Sequence, residues 1–278
     1  MLNTMNKDIF GNALLDYYHN NYTVLRQSSA TMLPFDKAQG KLNSAQDDII
    51  TSTNISDEDT LPLDYLFRNY NEMPLLEQKA LKLSKGKVLD VGCGAGSHSL
   101  YLQNKGFEIT AIDSSKGAIE VAKLRGVINT HHIELLQFKG QTFNTILLLM
   151  NGTGIFQELK QVSKYLSHLK ILLNSGGQIL IDSSDIRYMY LDEIDTSTAL
   201  SDHTSSDLSD RVEELNMLNN GNYYGELDYY LSYKGEDELP MKWLYLDFNT
   251  LKTACELAGL KCEKVMDGEH YDYLARLS

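Results

Sequence analysis

The chain has 278 residues, with 38 acidic against 25 basic side chains and a formal net charge of −13 at pH 7. Apolar residues at 42% and charged ones at 23% are the balance of a soluble globular protein, long enough for one good core with an appendage or for two small domains. So acidic a surface, with no Lys/Arg run to offset it, repels phosphate backbones and excludes nucleic acid as the expected partner, leaving a small molecule or a protein.

Cys93, Cys255 and Cys262 make neither a metal-ligand spacing nor an even disulfide set, as in a reducing cytoplasm. Met1 to Asn12 lacks the basic-then-apolar pattern of a signal peptide, and no apolar run approaches the roughly 20 residues that span a bilayer. A cytoplasmic protein with no membrane partner is expected, and its oligomeric state is open.

In chain order, Asp8 is a plausible N-cap for a helix within residues 8–26, with Leu14, Leu15, Tyr18, Tyr22 and Leu25 on one side. That helix either covers a ligand site or packs beside it. Residues 27–60 are polar and aperiodic and read as a flexible linker, which makes residues 1–71 an N-terminal helical and lid segment. Leu61 to Tyr70 is dense in aromatics, and Pro74 then opens a helix with Leu76, Ala80 and Leu83 on one face and Gly86 past its end.

The centre of the chain is Lys87-Val88-Leu89-Asp90-Val91-Gly92-Cys93-Gly94-Ala95-Gly96-Ser97, an apolar strand that breaks into a glycine-rich turn and a helix. The G-x-G-x-G spacing differs from the G-x-G-x-x-G that places a pyrophosphate on a helix N-terminus, so a dinucleotide is not the first reading. The strand Phe107 to Asp113 ends in an acid 21 positions after Gly92, where a carboxylate can accept both hydroxyls of a ribose.

With Asp90 ahead of it, the run Val-Leu-Asp-Val-Gly-Cys-Gly-Ala-Gly resembles motif I of the class I S-adenosylmethionine-dependent methyltransferases. The resemblance covers residues 72–278, with an insertion about 192–248. It implies an α/β fold, a Rossmann-like, doubly wound, mostly parallel seven-stranded sheet with helices on both faces. It also implies S-adenosyl-L-methionine as cofactor. Asp90 would lie near the methionyl amino group, the loop Gly92, Cys93, Gly94, Ala95 and Gly96 would pass along the cofactor, and Asp113 would hold the ribose, with Ser114 capping the next helix. Related enzymes often carry a lid before motif I, which makes Tyr65, Arg68 and Tyr70 acceptor-side candidates.

Residues 128–133 form a weak third strand. The acid that often meets adenine near its end is replaced by His131 or His132, which leaves His132 and the main chain at Ile133 as adenine contacts. Phe143 to Met150 is the strongest strand signal, and its exit at Met150 and Asn151 matches motif IV, facing the methyl group. It lacks the Asn/Asp-Pro-Pro-Tyr of the enzymes that methylate exocyclic amines of bases. A helix marked by Leu159 to Leu173 stops at Asn174 to Gly177, a fifth strand ends at Asp182, and residues 192–218 read as a mobile acidic insertion with some helix near 211–218. Tyr223 to Tyr233 and Met241 to Phe248 alternate as an inserted antiparallel β-hairpin, in which Tyr229 and Trp243 are candidates to wall the acceptor pocket. A last helix and two strands close the sheet.

The chemistry expected is methyl transfer to a small-molecule acceptor, with no metal and no covalent intermediate. Asp182, Asp185, His98 and His132 are the candidate bases, and no catalytic residue is singled out. The alternatives are a non-catalytic regulatory protein that binds adenosylmethionine or S-adenosylhomocysteine, and an aminopropyl transfer on the same fold.

Overall fold

The structure, a computed structural model, describes residues 7–22, 48–190, 215–217 and 219–278. Helix α1 (Ile9–Tyr17) begins where the Asp8 carboxylate accepts from the Gly11 amide, and it runs on into a wider turn over Tyr18–Tyr22. Strands β1 (Ile49–Thr53) and β2 (Ser56–Leu61) form a hairpin, followed by the short α2 (Leu63–Leu66). Helix α3 (Leu75–Leu83) follows Pro74, and β3 (Val88–Val91) turns through the glycine loop into α4 (Ser97–Asn104). Strand β4 (Ile109–Asp113) leads to α5 (Lys116–Arg125), which Ser115 caps and Gly126, at φ 105°, ends. Then come β5 (Thr130–His132), β6 (Phe143–Leu148), α6 (Val162–Ile171) and β7 (Leu173–Ser184). Strand β8 (Glu226–Tyr233), the two-residue β9 (Glu236–Asp237) and β10 (Met241–Leu244) precede α7 (Phe248–Leu257), β11 (Cys262–Asp267) and β12 (Asp272–Leu277).

Seven strands build the main sheet in the order β11-β12-β7-β6-β3-β4-β5. The five from β7 to β5 are parallel, and β12 runs antiparallel to both neighbours. The apolar runs explain the middle of this order, because a strand covered by helices on both faces must be apolar on both: all four residues of β3 are buried, as are Ile146, Leu147 and Leu148 of β6. From β3 the chain winds one way through β4 and β5, then returns to β6 on the other side. Ligands bind at such a reversal, outside the carboxyl ends of the strands.

A second sheet, in the order β10-β8-β1-β2 with β9 on β8, overturns the expectation of a flexible linker over residues 27–60 as far as 49–60 are concerned. Ile50 pairs with Ser232 and Thr53 with Tyr229, so two segments about 180 residues apart make one antiparallel surface. The polarity that reads as linker is that of an edge: residues 57–60 of β2 are all exposed, and an edge strand wet on both faces needs no apolar residues along it. Helix α1 is wedged between this sheet and α5. Ile9, Ala13, Leu14 and Tyr17 are buried with Ala118, Val121 and Leu231, and a Cβ on Gly117 would come within 2.6 Å of the Gly11 backbone.

Three smaller differences follow from local geometry. Ser115, not Ser114, caps α5, since its side chain accepts from the Ala118 amide. Strand β7 begins at Leu173, which pairs with Phe143, before residues 174–177 bulge out and Gln178 resumes the pairing on Thr145. The helix expected near 211–218 lies outside the described residues except for 215–217.

Candidate functional site

The loop after β3 turns through three glycines with positive φ, Gly92 at 71°, Gly94 at 50° and Gly96 at 83°. At Gly96 a Cβ would also meet Val127 at 2.8 Å, whereas at Gly94 it would project into space with no atom within 4 Å. Asp113, at the tip of β4, braces the turn: one carboxylate oxygen accepts from the Gly94 amide and the other from the Ser115 amide, both at 2.8 Å. Burial pushes its pKa up to about 6. Each oxygen therefore keeps a lone pair in a setting poor in donors. Asp90 is fully buried beneath, where Ser99 Oγ donates to it at 2.6 Å, and Arg125 ties the loop exit to the preceding segment by donating to the carbonyls of Ala95 and Phe67.

The turn after β6 is strained in a useful place. Met150 and Asn151 have φ of 67° and 58°, a left-handed pair without glycine, and Asp182 pins both flanks by accepting from the Met150 amide at 3.0 Å and the Gly152 amide at 2.8 Å. Burial pushes the Asp182 pKa up to about 7. Asn151 accepts from Ser183 Oγ, and Thr153 Oγ1 donates to the Leu244 carbonyl, so β10 is fastened directly onto this turn.

A buried charge cluster stands beside it. Arg68 grips both oxygens of Glu77, and His98 meets Glu77 Oε2 at 2.6 Å. Burial pushes the Glu77 carboxyl up, but the hydrogen bond and charge of His98, with the charge of Arg68, outweigh it and leave the pKa low. Burial pushes His98 down, and its hydrogen bond to Glu77 with the charges of Asp90 and Glu77 reverse this and leave it raised. Arg68 also lies over the Tyr65 ring at 4.1 Å. A cavity of about 280 Å³ opens among Tyr65, Glu77, Met150, Asn151, Asp182 and Asp272.

The residues read from the sequence thus divide. Tyr65, Met150, Asn151 and Asp182 gather at this cavity, while Gly92 to Gly96 and Asp113 form the loop beside it. Arg68 is no mobile lid residue: it is 5% exposed and neutralised by Glu77, because a guanidinium without water needs its anion. Tyr70 stacks on Tyr101 with ring centroids 4.2 Å apart and stands apart from the cavity. Trp243 lies flat on Gly154, where a Cβ would sit 2.1 Å from its ring, and Tyr229 faces a second, larger cavity. His132 meets the Ser114 carbonyl at 2.9 Å, and the Ile133 amide donates to the Asp113 carbonyl, so that N–H is already used. Asp185 is held by Arg187 and Tyr224. Ser183 and Ser184, at the ligand-facing end of β7, the fifth strand read from the sequence, also line the cavity, and so do Glu77 and Asp272, which were not read from the sequence as site residues. Glu77 sits inside an ordinary amphipathic helix pattern, and only its being an acid on the buried side of α3 marked it.

Comparisons with known proteins agree with this geometry. A family model for a methyltransferase domain matches residues 88–177, from β3 into β7. A solved S-adenosylmethionine-dependent methyltransferase from Bacteroides fragilis, in complex with S-adenosyl-L-homocysteine, is 36% identical, covers 98% of this chain and 95% of its own, and superposes with a TM-score of 0.74. Curated relatives match locally. The ubiquinone biosynthesis O-methyltransferase of Pasteurella multocida is 33% identical over 32% of this chain and 35% of its own length. A 23S rRNA (uracil(747)-C(5))-methyltransferase of Pyrococcus horikoshii is 36% identical over 26% and 18%. This chain thus spans about a fifth to a third of the length of these curated relatives, whose names point to unlike acceptors. Among the described residues no helix is long and apolar enough to cross a membrane. From the glycine loop braced by Asp113 to the match along nearly all of a solved relative, the chain belongs to the class I S-adenosylmethionine-dependent methyltransferase family.

Proposed function

We propose that this protein transfers the methyl group of S-adenosylmethionine to a small molecule. The observation that carries the reading is the Met150–Asn151 turn, pinned by Asp182 at the carboxyl end of β6 and facing a small, half-open cavity of about 280 Å³. That space suits a metabolite better than a polymer, and a chain of charge −13 attracts no phosphate backbone.

The cofactor fits the residues present. Asp113 has a spare lone pair on each oxygen and too few donors around it, so a ribose diol satisfies it, and Gly94 leaves its flank open for close approach. Bound there, adenosylmethionine supplies an electrophilic methyl on a sulfonium. The protein's part is then to hold a nucleophile in line and keep water out. Gly92 to Gly96 form the cradle, Asp90 sets its geometry through Ser99, and Tyr65 closes the cavity from the side of α2. Asp182 acts through the turn it pins: with both oxygens committed to backbone amides, it positions Met150 and Asn151 and is a poor general base.

Incubating the purified chain with adenosylmethionine and a pool of metabolites, and following S-adenosylhomocysteine by mass spectrometry, tests the reading. Acceptor-dependent S-adenosylhomocysteine with a product 14 Da heavier is expected on the mass of a methylene. Tight S-adenosylhomocysteine binding with no turnover on any pool would favour a regulatory binder instead.

A further inference from the structure

Beyond the small cavity lies one of about 440 Å³, between the end of β7 and the second sheet. The two share Ser184 and Asp272 on their walls, so a molecule held under the second sheet reaches toward the Met150–Asn151 turn. The larger wall carries two carboxylates, Asp59 and Asp272, one imidazole, His270, and neither lysine nor arginine among the described residues. Each of these carboxylates gives one oxygen to a neighbouring amide, Thr60 for Asp59 and His270 for Asp272. Tyr229 and Tyr245 offer rings, and burial pushes the phenol of Tyr245 up to about 12, so both stay neutral. At the rim Tyr188 and Tyr271 stack with centroids 4.9 Å apart, and Tyr271 holds a φ of 58°, costly for a residue with a Cβ.

We propose that this chamber between the sheets is the acceptor site and that its acceptor is a small amine, cationic in solution, with a flat or cyclic apolar body. The proposal rests on the methyltransferase reading above. Two carboxylates on a wall with no lysine or arginine among the described residues, set among aromatic faces, make a field that concentrates cations and repels carboxylates and phosphates. The reaction itself selects the same class. An ammonium first releases one proton to solvent. The nitrogen lone pair then forms the bond to the methyl carbon while the carbon–sulfur bond breaks, its electron pair staying on sulfur, which becomes a neutral thioether. Positive charge thus moves from sulfur to nitrogen, and a wall of carboxylates stabilises that movement. A phenolate or carboxylate nucleophile would bring an anion against the same wall.

Calorimetric titration of the S-adenosylhomocysteine complex with three probes of one skeleton, phenethylamine, 2-phenylethanol and phenylacetate, tests this. The amine should bind at least about tenfold more tightly than either isostere. Asp272→Asn, which keeps an acceptor for the His270 amide, should shrink that gap, and Asp59→Asn on the exposed β2 should shrink it less, both with unchanged affinity for S-adenosylhomocysteine. Equal affinities, no binding by any probe, a preference for the alcohol or the acid, or a gap untouched by both substitutions would overturn the amine assignment while intact S-adenosylhomocysteine binding left the methyltransferase reading standing. Loss of S-adenosylhomocysteine binding by the wild-type protein would instead sink that reading.

Discussion

Replacing Glu77 by glutamine takes the anion out of a cluster that holds almost no water. The Arg68 and Glu77 side chains are 3% and 4% exposed, and Glu77 Oε2 lies 2.5 Å from Arg68 and 2.6 Å from His98. Arginine cannot shed its proton at any ordinary pH, so the substitution leaves a buried guanidinium against a neutral amide. Removing one partner of a buried pair costs about 3–5 kcal/mol, a large share of the roughly 5–15 kcal/mol that holds a domain together. Some of this returns, because His98 is raised by its bond to Glu77 and becomes free to lose its proton.

The pH dependence has a definite sign. Glu77 is lowered in the folded chain, so its contribution is complete above the ordinary carboxylate value of 4.5 and is lost as the pH falls through the lowered one. His98 is raised, so its contribution is complete below 6.5 and is lost as the pH rises through the raised value. The difference between wild type and Glu77→Gln should therefore be largest between these two values, falling on the alkaline side to what Arg68 alone sustains. Urea unfolding across that range, with the slopes compared, measures it. Pairing Glu77→Gln with Arg68→Met should recover much of the loss, since the uncharged pair leaves no buried guanidinium behind. A loss below about 1 kcal/mol, or a double variant no better than the single one, would refute the account of a tightly buried charge cluster.

Asp113→Ala should weaken S-adenosylhomocysteine binding by about 1.5–3 kcal/mol. Because this carboxylate must be ionised to accept the diol and titrates at about 6, wild-type affinity should be flat from pH 7 to 8 and roughly tenfold weaker at pH 5, while the alanine profile stays flat on calorimetry. Asp182, raised by burial from 3.8 to about 7, contributes stability that is full below 3.8 and lost as the pH rises through 7, by about 4 kcal/mol in all. Asp182→Asn should flatten that decline in thermal melts, and an identical slope in both proteins would exonerate the residue. Gly154→Ala puts a Cβ 2.1 Å from the Trp243 ring, so about 1–3 kcal/mol of stability should go, and less than that when Trp243→Ala makes room. Additive losses in the double variant would mean that the indole is not what the glycine accommodates.

What could be read from the chain alone was whatever its chemistry states locally. Val88 to Val91 is apolar on both faces, the three loop glycines supply positive φ where side chains resist it, and Asp113 follows at the end of the next strand; each signal spans a few residues and needs no distant partner. Family membership, cofactor and the main sheet follow from that stretch. The acceptor side was hidden for the opposite reason. Strands β1 and β2 are polar because their hairpin ends at the wet edge of its sheet, and it is tied into the fold by the pairing of β1 with β8, about 180 residues on, which no local pattern records. Arg68 reads as a lid residue over the acceptor until Glu77 and His98 are brought against it, and Trp243 reads as a pocket wall until Gly154 is placed beneath it. Backbone chemistry near one glycine loop thus determined what this protein binds first, and only long-range packing, by joining segments that carry no mutual signal, decided the shape and charge of the chamber beside it.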